Sequence, residues 1–157
     1  MGEIELGELI IEWDDRKAAI NKKKHGVSFE LAAKVFLDEF LIDDYDENHS
    51  DDKDRIKVIG MVAKVLVVIY TERQDRYRLI SARLANERDV KNTMGSLVLR
   101  REMKFEFTPE QLEEIKRWEQ MTDDDIDYSD IPSLTDEELS KFRPARLRLK
   151  NPKNIAS

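Results

Sequence analysis

The sequence predicts an α+β fold: an antiparallel sheet with helices packed on one face, followed by a mostly helical, extended C-terminal segment. Three observations carry this prediction. The runs 55–62, 64–71 and 76–83 are apolar and β-rich and follow one another with short connections, as in an antiparallel meander. Upstream, residues 14–38 carry two helix-start signals and an apolar helical repeat. Beyond residue 107, two capping boxes open helices in a stretch poor in apolar residues.

Taken in order, Leu9-Ile10-Ile11-Glu12-Trp13 reads as a short strand of β-branched and aromatic residues. Asp14 is a natural N-cap for a helix over 14–24, closed by Gly26 just past His25. Ser28 caps a second helix over 29–38, where Leu31, Ala32, Val35 and Phe36 recur at helical spacing. A strand is expected near 40–42, then an acidic, solvated loop over 43–54 with seven carboxylates. Val65–Tyr70 is apolar on both faces, which places it at the centre of the sheet. In the last strand, simple alternation puts Tyr77, Leu79, Ser81 and Arg83 on one face and Arg76, Arg78, Ile80 and Ala82 on the other. A third helix is expected over 84–92. Thr108-Pro109-Glu110-Gln111 then opens a helix with a stripe of Leu112, Ile115 and Trp118, joined by Met121. An acidic linker follows over 123–132. Thr135 and Glu138 cap a short helix containing Leu139 and Phe142. The domain reading is 1–92 as one unit, 93–107 as a linker or arm, and 108–157 as an appended segment.

Charge supports that division. The chain has 157 residues and a net charge of −7, which by itself argues against a nucleic-acid binder. Residues 1–92 hold 16 Lys and Arg against 20 Asp and Glu, whereas residues 106–138 hold 2 against 13. Residues 141–153 carry six cations and no acid. Blocks of this kind mark interaction segments rather than a uniform domain surface. Cysteine is absent, so neither disulfides nor thiolate metal sites contribute. No apolar run approaches the ~20 residues of a membrane span, and residues 1–8 lack the basic and apolar parts of a secretory signal. A soluble cytoplasmic protein without membrane partners is the expectation.

On the first helix, Asp14, Lys17, Asn21, Lys24 and His25 fall within a stripe about 100° wide. An acid, an amide, two ammonium groups and an imidazole so project in one direction. Cleavage of RNA by its own 2′-hydroxyl needs a base, an acid for the leaving oxygen and cations around the phosphate, and these residue types supply all three. The structural reading stands beside it. Asp14 is explained as an N-cap, Lys24 and His25 suit the negative helix end, and a polar stripe is commonly a solvated face. His25 with Glu30 does not define a metal site, and no metal or other cofactor is expected. His49 belongs to the acidic loop. Arg55, Arg78 and Arg83 can bind phosphate or simply guard strand edges.

The run Trp13-Asp14-x-x-Lys17-x-x-x-Asn21-x-x-Lys24-His25-Gly26-Val27-x-Phe29-Glu30-x-Ala32 resembles the BrnT toxin family. So do Arg55 with Gly60, Tyr70-Thr71, and Ile80-Ser81-Ala82-Arg83 followed by Ala85 and Glu87. The resemblance covers roughly residues 9–92. It implies a RelE-like fold and a metal-independent endoribonuclease that arrests growth. It makes Lys17, His25, Glu30, Arg55 and Arg83 the catalytic candidates, supported by Asp14, Asn21 and Lys24. Lys17, Arg55 and Arg83 would hold phosphate and transition-state charge, and His25 or Glu30 would move the proton, since imidazole titrates near neutrality.

Thr108-Pro109-Glu110-Gln111-Leu112-x-x-Ile115, then Asp124-x-Ile126-Asp127-x-Ser129-Asp130-Ile131-Pro132, then Phe142-Arg143-Pro144, is similar to the toxin-binding part of BrnA antitoxins. Those antitoxins continue into a ribbon-helix-helix DNA-binding domain. Here the basic stretch 145–153 lies where it would begin and no such domain follows, so DNA binding would come only through a separate antitoxin. Trp118, Ile126, Tyr128, Ile131 and Phe142 are the expected docking anchors. The expectation is a silenced toxin whose acidic segment covers its phosphate-binding face, in cis or on a second copy as a swapped homodimer. The competing readings are a non-catalytic toxin-like module that binds RNA or an antitoxin partner, and a plain protein-binding domain.

Overall fold

The computed structural model describes residues 1–38, 41–44, 55–91 and 106–144. All but the last two residues of the expected linker over 93–107, most of the acidic loop, Phe40 and the basic stretch 145–153 lie outside them.

Ahead of the anticipated first strand lies one that the sequence reading left unassigned. Strand β1 (Gly2–Leu6) pairs antiparallel with β2 (Leu9–Trp13), joined by Gly7 and Glu8. Gly7 takes φ +64°, a conformation open to glycine at little cost. The alternation Glu3-Ile4-Glu5-Leu6 was its signal, with Ile4 and Leu6 packing on the core. A Cβ on Gly2 would overlap the Trp13 indole lying across it.

Helix α1 (Asp15–His25) starts on Asp14, whose carboxylate accepts from the backbone N–H groups of Arg16 and Lys17 at 2.8 and 3.1 Å. It ends on Gly26 at φ +72°. Ser28 caps α2 (Phe29–Ala32), and the rest of the expected second helix tightens into a 3₁₀ turn over Ala33–Leu37. Ala33, Val35 and Phe36 are all buried there, so packing on the sheet sets the geometry of this tail.

The remaining strands are β3 (Ile42–Asp43), β4 (Ile56–Val62), β5 (Lys64–Arg73) and β6 (Arg76–Leu84). With β7 (Arg143–Pro144) they make a seven-stranded sheet ordered β1-β2-β6-β5-β4-β3-β7. The meander β4-β5-β6 is antiparallel as expected, and β5 sits fourth of seven, at the centre. The sheet is mixed rather than antiparallel, because β2 runs parallel to β6. Helices α1 and α2 lead the chain from β2 to β3 on the other side of the sheet, and the antiparallel run β3-β4-β5-β6 brings it back so that β6 lies beside β2 in the same direction. One bulge also corrects the face assignment of β6. Tyr70 pairs with Leu79 and Ile69 with Ser81, leaving Ile80 as an extra residue. Past it the alternation reverses: Ala82 and Leu84 join Tyr77 and Leu79 in one core, and Arg83 turns to the opposite side. The third helix, α3, is confined to Glu87–Lys91.

Both faces of β5 are covered. Leu66, Val68 and Tyr70 pack with Phe29, Leu31, Val35 and Phe36 in the main core. Val65, Val67 and Ile69 pack with Ile59 against Ile131, Leu134, Leu139 and Phe142. The second cover comes from the C-terminal segment. It holds α4 (Pro109–Glu119), a 3₁₀ turn at Asp123–Asp125, α5 (Asp136–Leu139) and β7, which pairs with β3. Reciprocal capping boxes start both helices, at Thr108 with Gln111 and at Thr135 with Glu138.

Candidate functional site

A cleft of about 400 Å³ opens between α1, the strand ends and the C-terminal segment. Lys17, Lys24 and Arg55 bring cations to it, and Asn21, Ile69, Ile80 and Ser81 form its floor. Ser129 and Asp130 close it from the segment, and Asp130 is the one carboxylate among these residues. Its oxygens lie 3.1 Å from Lys24 Nζ and 2.8 Å from His25 Nε2. The hydrogen bond from His25, reinforced by Lys24, holds the Asp130 carboxyl below its ordinary pKa of 3.8. A carboxylate thus occupies the place in which this cation set would receive an anionic ligand.

The polar stripe on α1 separates into different roles. Lys17 and Lys24 are exposed at the cleft. Asn21 and His25 are buried. Asn21 donates to the carbonyls of Val27 and Ala82 and accepts from the Ala82 N–H and the Ser81 hydroxyl, fixing the helix to β6. Asp14 caps the helix, and the two backbone N–H groups it accepts hold its carboxyl below the usual range. Glu30 is exposed in the first turn of α2 and does not line the cleft. Arg55 does line it.

Arg83 lies beside the cleft, fully buried under the segment. Nη1 donates to Leu84 O and Asp89, both at 2.9 Å. Nε donates to Ile131 O at 2.8 Å and Nη2 to Pro132 O at 3.2 Å. The Tyr128 ring stacks 5.0 Å from the guanidinium carbon.

Among the named anchors, Trp118 and Ile131 are fully buried, Phe142 nearly so, and Ile126 and Tyr128 partly. Trp118 Nε1 donates to Gly26 O at 2.7 Å. Sequence reasoning missed Glu114, whose carboxylate accepts from Ser28 N at 2.7 Å and is pushed up in pKa by burial. It also missed Leu134, Asn86 and Asp89 as parts of this contact. Asp130 was visible only as a letter in the Asp-Ile-Asp-x-Ser-Asp-Ile-Pro run. Among the described residues, no three His, Asp or Glu side chains converge as a metal-ligating group, and no helix is long and apolar enough to cross a membrane.

Fold and cleft together define a small α+β domain with a cation-lined cleft, closed by a C-terminal strap of its own chain. Residues 13–89 match the family model described as "Ribonuclease toxin, BrnT, of type II toxin-antitoxin system". The chain is also similar to the solved ribonuclease toxin BrnT of Brucella abortus, at 27% identity over 49% of this chain and 96% of that one, with a TM-score of 0.38. No curated protein matches it. The family match ends at residue 89, before the C-terminal segment.

Proposed function

We propose that residues 1–92 are a metal-independent ribonuclease toxin domain and that residues 106–144 silence it from within the same chain. The observation carrying this reading is Asp130, seated on Lys24 and His25 at the mouth of a cleft shared with Lys17 and Arg55. With the segment displaced, these cations and the outward N–H groups of Arg83 would face an RNA phosphate. A base takes the proton of the ribose 2′-hydroxyl, the 2′-oxygen bonds to phosphorus, and the bond to the 5′-oxygen breaks as that oxygen is protonated. His25 fits the proton-transfer role better than Glu30, which stands away from the cleft. Lys17, Arg55 and Arg83 would stabilise the charge that develops on phosphorus.

The segment matches what such an inhibitor needs. It carries 13 acids against 2 cations over residues 106–138 and places its apolar side chains in both cores. Being on the same chain, it meets its target at an effective concentration of about millimolar. Its cognate role resembles that of an antitoxin, with RNA as the displaced ligand. A non-catalytic module is favoured by one feature only: Asn21 is fully committed to hydrogen bonds within the domain, as is Nη1 of Arg83.

Expression in growing cells separates the readings. Residues 1–92 alone and a full-length Asp130→Lys variant should both arrest growth and degrade RNA, whereas the unaltered chain should do neither. Absence of toxicity from fragment and variant favours the non-catalytic module. Toxicity from the unaltered chain defeats the inhibitory role.

A further inference from the structure

The charge of Asp130 does not explain the position of Tyr128, two residues earlier in the strap. Its ring lies 5.0 Å from the Arg83 guanidinium carbon, and its hydroxyl accepts from Asn86 Nδ2 at 3.3 Å. Both of these partners are held by their own neighbourhood. Asp89 Oδ2 accepts from Arg83 Nη1 and from the Asn86 backbone N–H, each at 2.9 Å. Asn86 Oδ1 accepts from the Asp89 N–H, and Leu84 O takes a second bond from Arg83 Nη1. Residues 83–89 so hold one edge of the guanidinium and the oxygen of the side-chain amide, while the strap accepts from the remaining N–H groups through Ile131 O, Pro132 O and Ser133 Oγ.

We infer that Arg83 and Asn86 form a nucleobase subsite, which Tyr128 fills in the intact chain. This deepens the ribonuclease reading and rests on it. Unpaired bases of single-stranded RNA stack on aromatic rings and on guanidinium planes alike. A carboxamide offers a donor and an acceptor side by side, the pattern that reads a base edge. Tyr128 lies on Arg83 and Asp130, two residues on, lies on Lys24 and His25, so this stretch of strap presents a ring and an anion as one nucleotide presents base and phosphate. The ligand class is single-stranded RNA, with one unpaired base on Arg83 next to the phosphate in the Lys17–Lys24–Arg55 cleft. Asn86 is the residue that selects which base.

The test uses the full chain with Tyr128→Ala and Asp130→Asn, which vacates both positions and leaves Trp118, Ile131 and Leu139 in place. The probes are uncleavable 2′-O-methyl RNA octamers of each single base, and an abasic octamer of equal charge. The doubly altered chain should bind at least one base-bearing octamer about tenfold more tightly than the abasic one. Asn86→Ser should then reorder the four bases while leaving abasic affinity unchanged. Tyr128→Ala alone, which leaves Arg83 bonded to Leu84 and Asp89 and changes no residue of 83–89, should improve binding of base-bearing RNA more than of abasic RNA. Equal binding of abasic and base-bearing octamers would overturn the subsite while leaving the RNA cleft standing. No gain of any octamer over the unaltered chain would overturn the RNA reading and the subsite together.

Discussion

The two faces of strand β5 are built from the same kind of residue and closed in different ways. Leu66, Val68 and Tyr70 are covered by Phe29, Leu31, Val35 and Phe36, elements that lie close by in the chain and fold with the sheet. Val65, Val67 and Ile69 are covered by Ile131, Leu134, Leu139 and Phe142, more than sixty positions downstream. The first face is ordinary core. The second, in the proposed reading, would couple stability to silence: the same strap that buries it also sets Asp130 in the cleft and Tyr128 on Arg83. Residues 1–92 freed of the strap would expose Ile59, Val65, Val67 and Ile69, each worth about 1.5–3 kcal/mol when fully buried.

The sharpest way to break this comparison is Trp118→Ala. Trp118 joins the main core from the strap side and is fully buried, so its loss should cost about 3–5 kcal/mol in denaturant unfolding. If the strap docks as described, protease sensitivity of residues 106–144 rises with it. Leu139→Ala touches the second face alone and should cost about 2–4 kcal/mol, with early cleavage of the strap and a more persistent sheet. Equal sensitivity of both halves to Leu139→Ala would show that the two faces are not separable.

Much of this was legible beforehand, for identifiable reasons. An unbroken apolar run at Val65–Tyr70 demands cover on both sides, and such a strand belongs at a sheet's centre. Asp14, Ser28, Thr108 and Thr135 cap helices through local bonds that depend on neighbouring residues only. What the sequence concealed was non-local. The β2–β6 pairing joins residues over sixty positions apart, and its parallel direction has no local signature. The bulge at Ile80 reverses the alternation that had grouped Arg83 with Tyr77 and Leu79. The helical stripe of polar residues was read as one surface. Asn21 and His25 are in fact turned inward, and Lys17 and Lys24 flank the cleft.

A smaller effect concerns pH. Asp130 and Glu138 are held below their ordinary pKa values when the strap is docked, by His25 and by the Thr135 N–H respectively. Their contribution is present above the ordinary carboxylate range and is lost as pH falls through the docked values. Glu114 is shifted upward by burial and acts with the opposite sign, favouring docking on protonation and losing that benefit as pH rises through its raised value. Denaturation midpoints measured below about pH 4 should therefore fall less in Asp130→Asn than in the unaltered chain. An unchanged acid limb would remove Asp130 from the docking energetics. Smallest is Thr108→Ala, which removes one capping bond of α4 and should cost about 1 kcal/mol in the same assay.

The central claim is tested most directly by RNA cleavage in vitro across a single covalent change. A protease site placed between residues 93 and 105 allows the intact chain to be assayed, cut and assayed again after the strap is separated. The expected result is no cleavage of single-stranded RNA before the cut and cleavage after it, abolished by Lys17→Ala and restored to silence by adding back the 106–144 peptide. Equal cleavage before and after the cut, or none in either state, would contradict it.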